Sequence, residues 1–308
     1  MFLNYLIKRL LSAVFVLFGI STLVFLLIHL VPGDPVEVML GETARSADTE
    51  ALRDELGLNL PILQQWWEYL KGIAHFDLGK SLHSQQAVTQ LLLDRLPATA
   101  ILSIASLSIA ILIALPLGIL AAVYKDSFWD RLAIVSAMFG VSIPNFVMGP
   151  LLILIFSLWL GWVPVSGKEG LSSLILPAFT LGSALAAILS RMVRASMLEV
   201  LQEDYIRAAR ARGLSEFRVL CLHALRNAAL LIITILGLQL GALLTGAVIT
   251  ETIFSWPGIG QLMVDSIQKR DYPVVQACVL LISFIYVLVN LMTDVVYTAL
   301  DPRLKLET

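Results

Sequence analysis

The side chains that most often carry out catalysis or bind metals are few and scattered in this sequence. The two cysteines have neither the spacing of metal ligands nor that of a disulfide framework. The histidines are far apart and, in a membrane topology, lie on opposite sides of the bilayer. These residues are Cys221, Cys278, His29, His75, His83 and His223. The sequence therefore predicts no catalytic residue, no metal site and no cofactor bound by this chain.

Residues 74–81, AHFDLGKS, partly match the P-loop that binds nucleotide phosphates. A P-loop follows a buried strand and needs glycines whose backbone amides surround a phosphate at the start of a helix. Here Ala74 stands where the first glycine belongs, and no strand pattern precedes the segment. The sequence therefore predicts no nucleotide site in this chain.

The amino-acid composition indicates the class of protein to which these residues belong. The 308-residue chain is 58% hydrophobic and 14% charged, whereas soluble proteins carry about 25% charged residues. Its mean hydropathy is +0.86. A formal net charge of -2, with basic residues in separate clusters, gives no reason to expect a nucleic-acid partner. The chain is predicted to be a membrane protein in contact with lipid.

Six segments are long and apolar enough to cross a hydrocarbon core of about 30 Å as helices. The first exceeds the apolar core of a signal peptide and lacks its cleavage site, so we expect it to remain as a transmembrane helix. Pro116, Pro144 and Pro150 lie within the second and third segments, where each is expected to kink the helix. The predicted spans are 10–31, 98–124, 132–162, 172–190, 228–253 and 274–300.

Lysines and arginines are concentrated in loops on one side of these spans, which the positive-inside rule assigns to the cytoplasm. The fold class is therefore all-α, with six transmembrane helices and both termini cytoplasmic. Between helices 1 and 2, helical spacing of leucines and tryptophans predicts a small external subdomain. The predicted division is a first helix at 1–31, the external subdomain at 32–97, a five-helix core at 98–300 and a cytoplasmic tail at 301–308.

The core contains a basic cytoplasmic loop, 191–227, whose segment 202–218 carries four arginines and three acids. Each charge would cost about 2.5–3.5 kcal/mol at the bilayer centre, so the segment must leave the membrane. Asp204 is expected to cap a short helix that begins at Tyr205, and Gly213 to end it in a left-handed conformation. One face would combine small side chains with an adjacent ring, which lets another protein approach closely; it holds Tyr205, Ala208, Ala209 and Arg212. The alternative is a solvated loop whose arginines only set the orientation of the chain.

Residues 204–228, DYIRAARARGLSEFRVLCLHALRNA, resemble the cytoplasmic coupling loop of ABC-transporter permeases in the dipeptide, oligopeptide and nickel uptake branch. Ala208, Ala209 and Gly213 keep the spacing of that family's Glu-Ala-Ala-x-x-x-Gly pattern, with Arg207 at the acidic position. Leu231 replaces a proline that often follows in the family. Further segments resemble the branch in the same order along nearly the whole chain: VPGDPV, LPATAILSIASLSIAILIALPLGI, GVSIPNF, RMVRASMLEVL and ETIFSWPGIGQLMVDSIQKRDYPVVQ.

The resemblance implies the permease subunit of an ATP-driven importer in a bacterial inner membrane, which is not itself an enzyme. Its partners would be a second, homologous permease in a heterodimer, two ATPase subunits that use the ATP, and an external solute-binding protein. Small peptides are the implied cargo, with nickel complexes, glutathione or other small solutes as alternatives. The implied ATPase-coupling residues are Asp204, Tyr205, Arg207, Ala208, Ala209, Arg212 and Gly213.

Polar residues within apolar spans are candidates for the translocation path, because such residues are costly in lipid. Five are chosen: Ser142, Asn145, Gln239, Thr245 and Glu251. Simpler roles stay open for four of them. Ser142 and Asn145 flank Pro144, where a kink serves packing alone; Gln239 can join two helices; and Glu251 can be an ordinary interfacial acid.

Two other classes of membrane protein compete with the permease interpretation. An intramembrane protease needs a serine–histidine pair or two aspartates at membrane depth, but no histidine is central in a span and Asp294 is the only aspartate well inside one. A secondary transporter is expected to show internal repeats with matching helix breaks, and no convincing repeat is present. ATP-dependent uptake would separate a permease from a secondary transporter.

Overall fold

A computed structural model describes residues 2–30, Glu50, Arg53, 58–168 and 170–300; some side chains within the described helices lie outside this description. The described elements are helices joined by short turns, together with one isolated bridge between Lys80 and Ala87. The helices are α1 Phe2–Leu30, α2 Ile62–Ala74, α3 Val88–Val123, α4 Phe128–Ser142, α5 Asn145–Leu152, α6 Ser172–Val200, α7 Asp204–Ala211, α8 Glu216–Arg218, α9 Leu225–Ile253, α10 Ile259–Gln268 and α11 Tyr272–Leu300. Two π-helical segments, Ile153–Trp159 and Val219–Ala224, follow α5 and α8.

The predicted all-α membrane fold is confirmed. Among the described residues, four helices are long and apolar enough to cross a membrane, and the number reaches six if each of two bent helix pairs is one span. The orientation of the termini stays a prediction. Residues 32–49 of the predicted external subdomain and the tail 301–308 lie outside the described residues.

The third predicted span is broken at Pro144. Helices Phe128–Ser142 and Asn145–Trp159 are bent by 101° at this point. Pro144 has no N–H to continue the helical ladder, and a residue before proline is driven into extended backbone. Ile143 accordingly has φ -94° and ψ 112°. In contrast, the chain remains helical through Pro116 and Pro150.

Two helices extend beyond the spans predicted for them. The fourth span was expected to end at residue 190, but α6 continues to Val200. Arg194 in this extension pairs with a carboxylate, as described below. The second span was expected from residue 98, but α3 begins at Val88, since the buried side chains of Val88 and Leu92 hold this first part of the helix in place.

By its contacts the chain divides into two compact units, and α3 and α11 contribute to both. The first unit contains residues 1–2, 100–256 and 288–308. Its largest buried cluster is formed by side chains of α3, α6, α7 and α9. Glycine permits close packing here: a Cβ on Gly182 of α6 would lie 2.7 Å from the carbonyl oxygen of Ser106 in α3. Small residues at such positions let membrane helices approach closely.

The second unit contains residues 3–99 and 257–287. A buried cluster joins the start of α3 to α10 and the start of α11 through Val88, Leu92, Ile259 and Val274. Two buried polar contacts accompany it. The Ser81 hydroxyl donates to Asp271 at 2.5 Å, and the Ile259 N–H donates to the Thr99 hydroxyl at 2.8 Å.

Candidate coupling helix and translocation path

The short helix predicted in the basic loop is present as α7, Asp204–Ala211. Its N-terminal cap differs from the prediction: Glu203 occupies the cap position with extended backbone, and no side chain caps the helix. The prediction that Asp204 caps the helix is therefore wrong by one residue. Asp204 lies in the first turn, where a negative charge is still favourable, and its carboxylate pairs with Arg207 at 3.3 Å.

The predicted end of this helix is confirmed. Gly213 has φ +77°, a left-handed conformation that favours glycine. Its N–H donates to the carbonyl of Arg210 at 2.9 Å, and the N–H of Leu214 donates to Ala209 at 3.4 Å. These two bonds form a Schellman motif, which satisfies carbonyls at the helix end and turns the chain sharply.

The two faces of α7 differ from the predicted ones. Ile206 is fully buried and Ala209 is 6% exposed, and both belong to the large cluster of the first unit. Ala209 therefore contacts the chain's own core and is not on the surface face where it was expected. Tyr205 and Ala208 are exposed. Ile206 was missed by the sequence analysis, although it is the one large aliphatic side chain in this charged helix.

α7 and α8 form a helical hairpin, and its exposed side is predominantly basic. Arg207, Arg210 and Arg212 are all exposed. Arg210 of α7 donates two hydrogen bonds to the carboxylate of Glu216 in α8, at 2.9 and 3.3 Å, and so links the two helices of the hairpin. The hydroxyl of Tyr205 accepts a hydrogen bond from the side-chain amide of Asn227 at 2.6 Å. This arrangement presents cations, a ring and a small side chain on one surface.

The candidate path residues fall into two groups. Ser142 is exposed at the end of α4 and Asn145 is half-buried at the start of α5, so they flank the 101° break. In α9, a Cβ on Gly246 would lie 3.5 Å from the side-chain nitrogen of Asn145. Gln239 lies seven residues before Gly246 and so shares its helix face. The structure therefore brings Asn145 to the face of α9 that carries Gln239.

Gln239 is 6% exposed, and neither polar atom of its side chain has a hydrogen-bond partner within the described residues. A buried unsatisfied amide costs about 1–3 kcal/mol, so a polar partner would stabilise it. Glu251 is fully buried within this chain. Thr245 lies in α9, but its side chain is outside the described residues.

A buried ion pair was missed by the sequence analysis. Arg194 of α6 donates two hydrogen bonds to Asp130 of α4, at 2.5 and 2.7 Å. The Asp130 side chain is 3% exposed and that of Arg194 is 23% exposed. Separately, within the described residues no three histidine, cysteine or acidic side chains are placed to share a metal ion.

Comparison with known proteins identifies the family. Residues 114–306 match the family described as "Binding-protein-dependent transport system inner membrane component", and residues 2–103 match the N-terminal family of such membrane components. The chain belongs to this family. It is therefore a multi-pass inner-membrane permease of ABC importers and not an enzyme; ATP hydrolysis belongs to a separate subunit.

The permease has close relatives along its whole length. It is 44% identical over 303 residues to the glutathione transport system permease protein GsiC of Escherichia coli strain K12, which covers 98% of this chain and 99% of the relative. The protein of the same name from Pectobacterium atrosepticum has the same identity and coverage. The resemblance to this branch of permeases inferred from the sequence motifs is thus confirmed.

Two solved structures share the fold of the permease. An inward-facing structure of the MetNI methionine ABC transporter aligns with a TM-score of 0.60 at 18% identity, over 69% of this chain and 97% of that one. An amino acid ABC transporter aligns with a TM-score of 0.51, also at 18% identity, over 70% of this chain and 94% of that one. At this identity the similarity supports the fold alone.

Proposed function

We propose that this permease pairs with a second, homologous permease and forms with it a membrane path for small peptides. An external solute-binding protein would deliver the cargo, and two ATPase subunits would drive its import. Glutathione is a tripeptide, so the transport named for the 44% identical relatives falls within this cargo class. Nickel complexes and other small solutes are the alternative cargo.

The proposed contact with an ATPase subunit is the exposed face of α7. The observation that carries this role is the division of an eight-residue helix into two faces. Ile206 and Ala209 anchor it in the core of the first unit, while Tyr205, Ala208 and Arg212 are exposed. A partner that moved this face would therefore move the packed helices beneath it, because protein interiors transmit displacement through close packing.

The proposed path runs along the face of α9 that carries Gln239 and Gly246. Gln239 offers both a donor and an acceptor, which match the amide groups of a peptide. Asn145 offers the same chemistry at the break between α4 and α5, beside Gly246. Ser142, Thr245 and Glu251 remain candidates for the same path, with Glu251 requiring a conformational change to become accessible.

The coupling role is tested with Ala208→Trp, which places a large ring on the exposed face of α7 without disturbing the buried one. We expect the permease to remain in the membrane but to lose ATPase co-elution and ATP-driven uptake. Ala74→Trp, at the exposed end of α2, is the matched control. Normal co-elution and uptake with Ala208→Trp would reject α7 as the contact.

The transport class and cargo are tested in proteoliposomes with the complete complex. Uptake of labelled glutathione and of labelled dipeptides is measured with the binding protein present, with and without ATP. We expect uptake of at least one peptide to require both ATP and the ATPase subunits. Uptake driven by an ion gradient alone would indicate a secondary transporter, and uptake of nickel complexes without any peptide uptake would reject the proposed cargo class.

A further inference from the structure

The Asp130–Arg194 pair lies between the two regions to which the proposed function assigns roles. Arg194 is near the end of α6, ten residues before α7 begins, and Asp130 is in the first turn of α4, which ends at the break. The carboxylate also accepts the backbone N–H of Asp126 at 2.9 Å. Three hydrogen bonds therefore hold this one buried side chain in a single orientation.

The geometry of the pair is specific. Arg194 donates through Nε and Nη2 to the two oxygens of the carboxylate, a fork arrangement that fixes direction as well as distance. Replacing a buried ion pair by apolar residues often leaves stability unchanged or increases it, so such a pair is weak evidence for a stabilising role. Its distinctive contribution is to specify how α4 and α6 are placed along each other.

The rest of the α4 face agrees with this placement. Ala133 and Ala137 are buried, and with Asp130 and Gly140 they recur at helical spacing on one side of α4. A Cβ on Gly140 would lie 2.7 Å from the Cβ of Ala187 in α6. The two helices thus contact each other at the ion pair and again next to the break.

On the side towards α7, the contacts of α6 are apolar. Val193 and Met197 of α6 are fully buried in the cluster that contains Ile206 and Ala209 of α7. Val193 and Met197 flank Arg194 along α6, so this shared cluster connects α7 with the turns of α6 that carry Arg194. From there the ion pair is the polar contact that reaches α4.

We propose that the Asp130–Arg194 pair is a positioning contact that makes α4 and α6 move as one body, so that displacement of α7 reaches the break at Pro144. This inference rests on the proposed role of α7 in coupling. The pair determines how much of each ATP-driven movement arrives at the helix pair that flanks the candidate path.

The first test uses Asp130→Asn in the reconstituted complete complex, with solute transported per ATP hydrolysed as the readout. We expect ATP hydrolysis to persist while this ratio falls roughly five-fold or more, the scale of a typical coupling between sites. Asp126→Asn is the matched control: it makes the same change four residues away, at an exposed position with φ 63° that asparagine tolerates. It should keep the wild-type ratio.

Asp130→Asn leaves the partly buried Arg194 without its charge partner and can prevent folding. The double variant Asp130→Asn/Arg194→Gln removes both charges and retains a pair of amides, so it avoids an uncompensated charge. We expect it to assemble and to show the same fall in solute per ATP. A wild-type ratio in the double variant, or a loss of assembly with an unchanged ratio in the remaining complex, would show a merely structural role and overturn the proposal.

A second readout follows the break directly. Spin labels are placed on the exposed positions Met138 of α4 and Phe146 of α5, as cysteines in a Cys221→Ser background. We expect ATP to change the distance between them in the wild type but not in the double variant. An identical change in both would overturn the proposal. If the wild-type complex itself showed no ATP-driven transport, the proposed function would be rejected instead.

Discussion

The short helices α7 and α10 each lie between long helices. They end in the same type of turn, but different contacts hold them in place. In each helix, two backbone N–H groups just beyond the last turn donate hydrogen bonds to carbonyls of that turn. They belong to Gly213 and Leu214 in α7, and to Arg270 and Asp271 in α10. In α7 the left-handed residue is Gly213, with φ +77°, and in α10 it is Arg270, with φ 56°. A non-glycine residue in this conformation is strained by roughly 1–2 kcal/mol.

The strain at Arg270 is accompanied by buried polar contacts that α7 lacks. Asp271, the next residue, is 4% exposed and accepts hydrogen bonds from the Ser81 hydroxyl and the Leu82 N–H. The first N–H of α10 donates to Thr99. By contrast, α7 is anchored by the apolar side chains of Ile206 and Ala209. Apolar contacts are non-directional, so α7 can shift slightly without breaking a buried hydrogen bond, whereas α10 cannot.

The largest effect is expected where the apolar anchor of α7 is removed. Ile206→Asp would bury an unpaired carboxylate in the core of the first unit, at a cost of about 3–5 kcal/mol. We expect loss of the assembled permease, measured as the yield of the monodisperse complex after membrane extraction. Gln202→Asp, at an exposed position two residues before the same helix and outside the proposed coupling residues, should assemble normally. Equal yields for both variants would show that the apolar face does not anchor α7.

A smaller effect is expected at the polar anchor of α10. Asp271→Ala leaves the Ser81 hydroxyl and the Leu82 N–H without their acceptor, at a cost of about 2–4 kcal/mol. Thermal unfolding of the purified complex should therefore occur at a lower temperature. Asp265→Ala, exposed on the same helix, provides the control. No difference between the two variants would contradict the contrast drawn between α7 and α10.

The smallest effects are expected at the two left-handed residues, and they should have opposite signs. Gly213→Ala adds strain of about 1 kcal/mol, and Gly213→Asn less, because asparagine tolerates this conformation. Arg270→Gly relieves strain and should leave α10 as stable or slightly more stable. Hydrogen exchange over 204–218 and 259–271 measures both. Faster exchange in α10 after Arg270→Gly would show that the arginine side chain itself contributes to the turn.

Features determined by neighbouring residues were predictable from the sequence. The left-handed turn follows from Gly213, and the break follows from the missing N–H of Pro144. Local sequence does not distinguish the two adjacent acids: both Glu203 and Asp204 suit a helix start, and the helix begins one residue earlier than predicted. Ala209 was assigned to the outer face because an idealised wheel does not show on which side the core lies.

Contacts between distant parts of the chain could not be predicted in this way. Arg194 and Asp130 are 64 residues apart, and Ser81 and Asp271 are 190 apart. In a single sequence each of these residues is an ordinary polar residue near the end of an apolar segment. Local sequence patterns contain no information about which distant residue each of them contacts. For the same reason the predicted path residues could be named, but the proximity of Asn145 to Gly246 could not.

The right-angled break at Pro144 also restricts the surroundings of α4. The last four carbonyl groups of a helix have no partner further along it, and proline supplies no N–H to the carbonyl of Gly140. Hydrocarbon chains cannot satisfy these oxygens, so exposed carbonyls at membrane depth require either protein or water beside them. The inner side of the bend between α4 and α5 must therefore be lined by protein or water and not by the acyl chains of the bilayer.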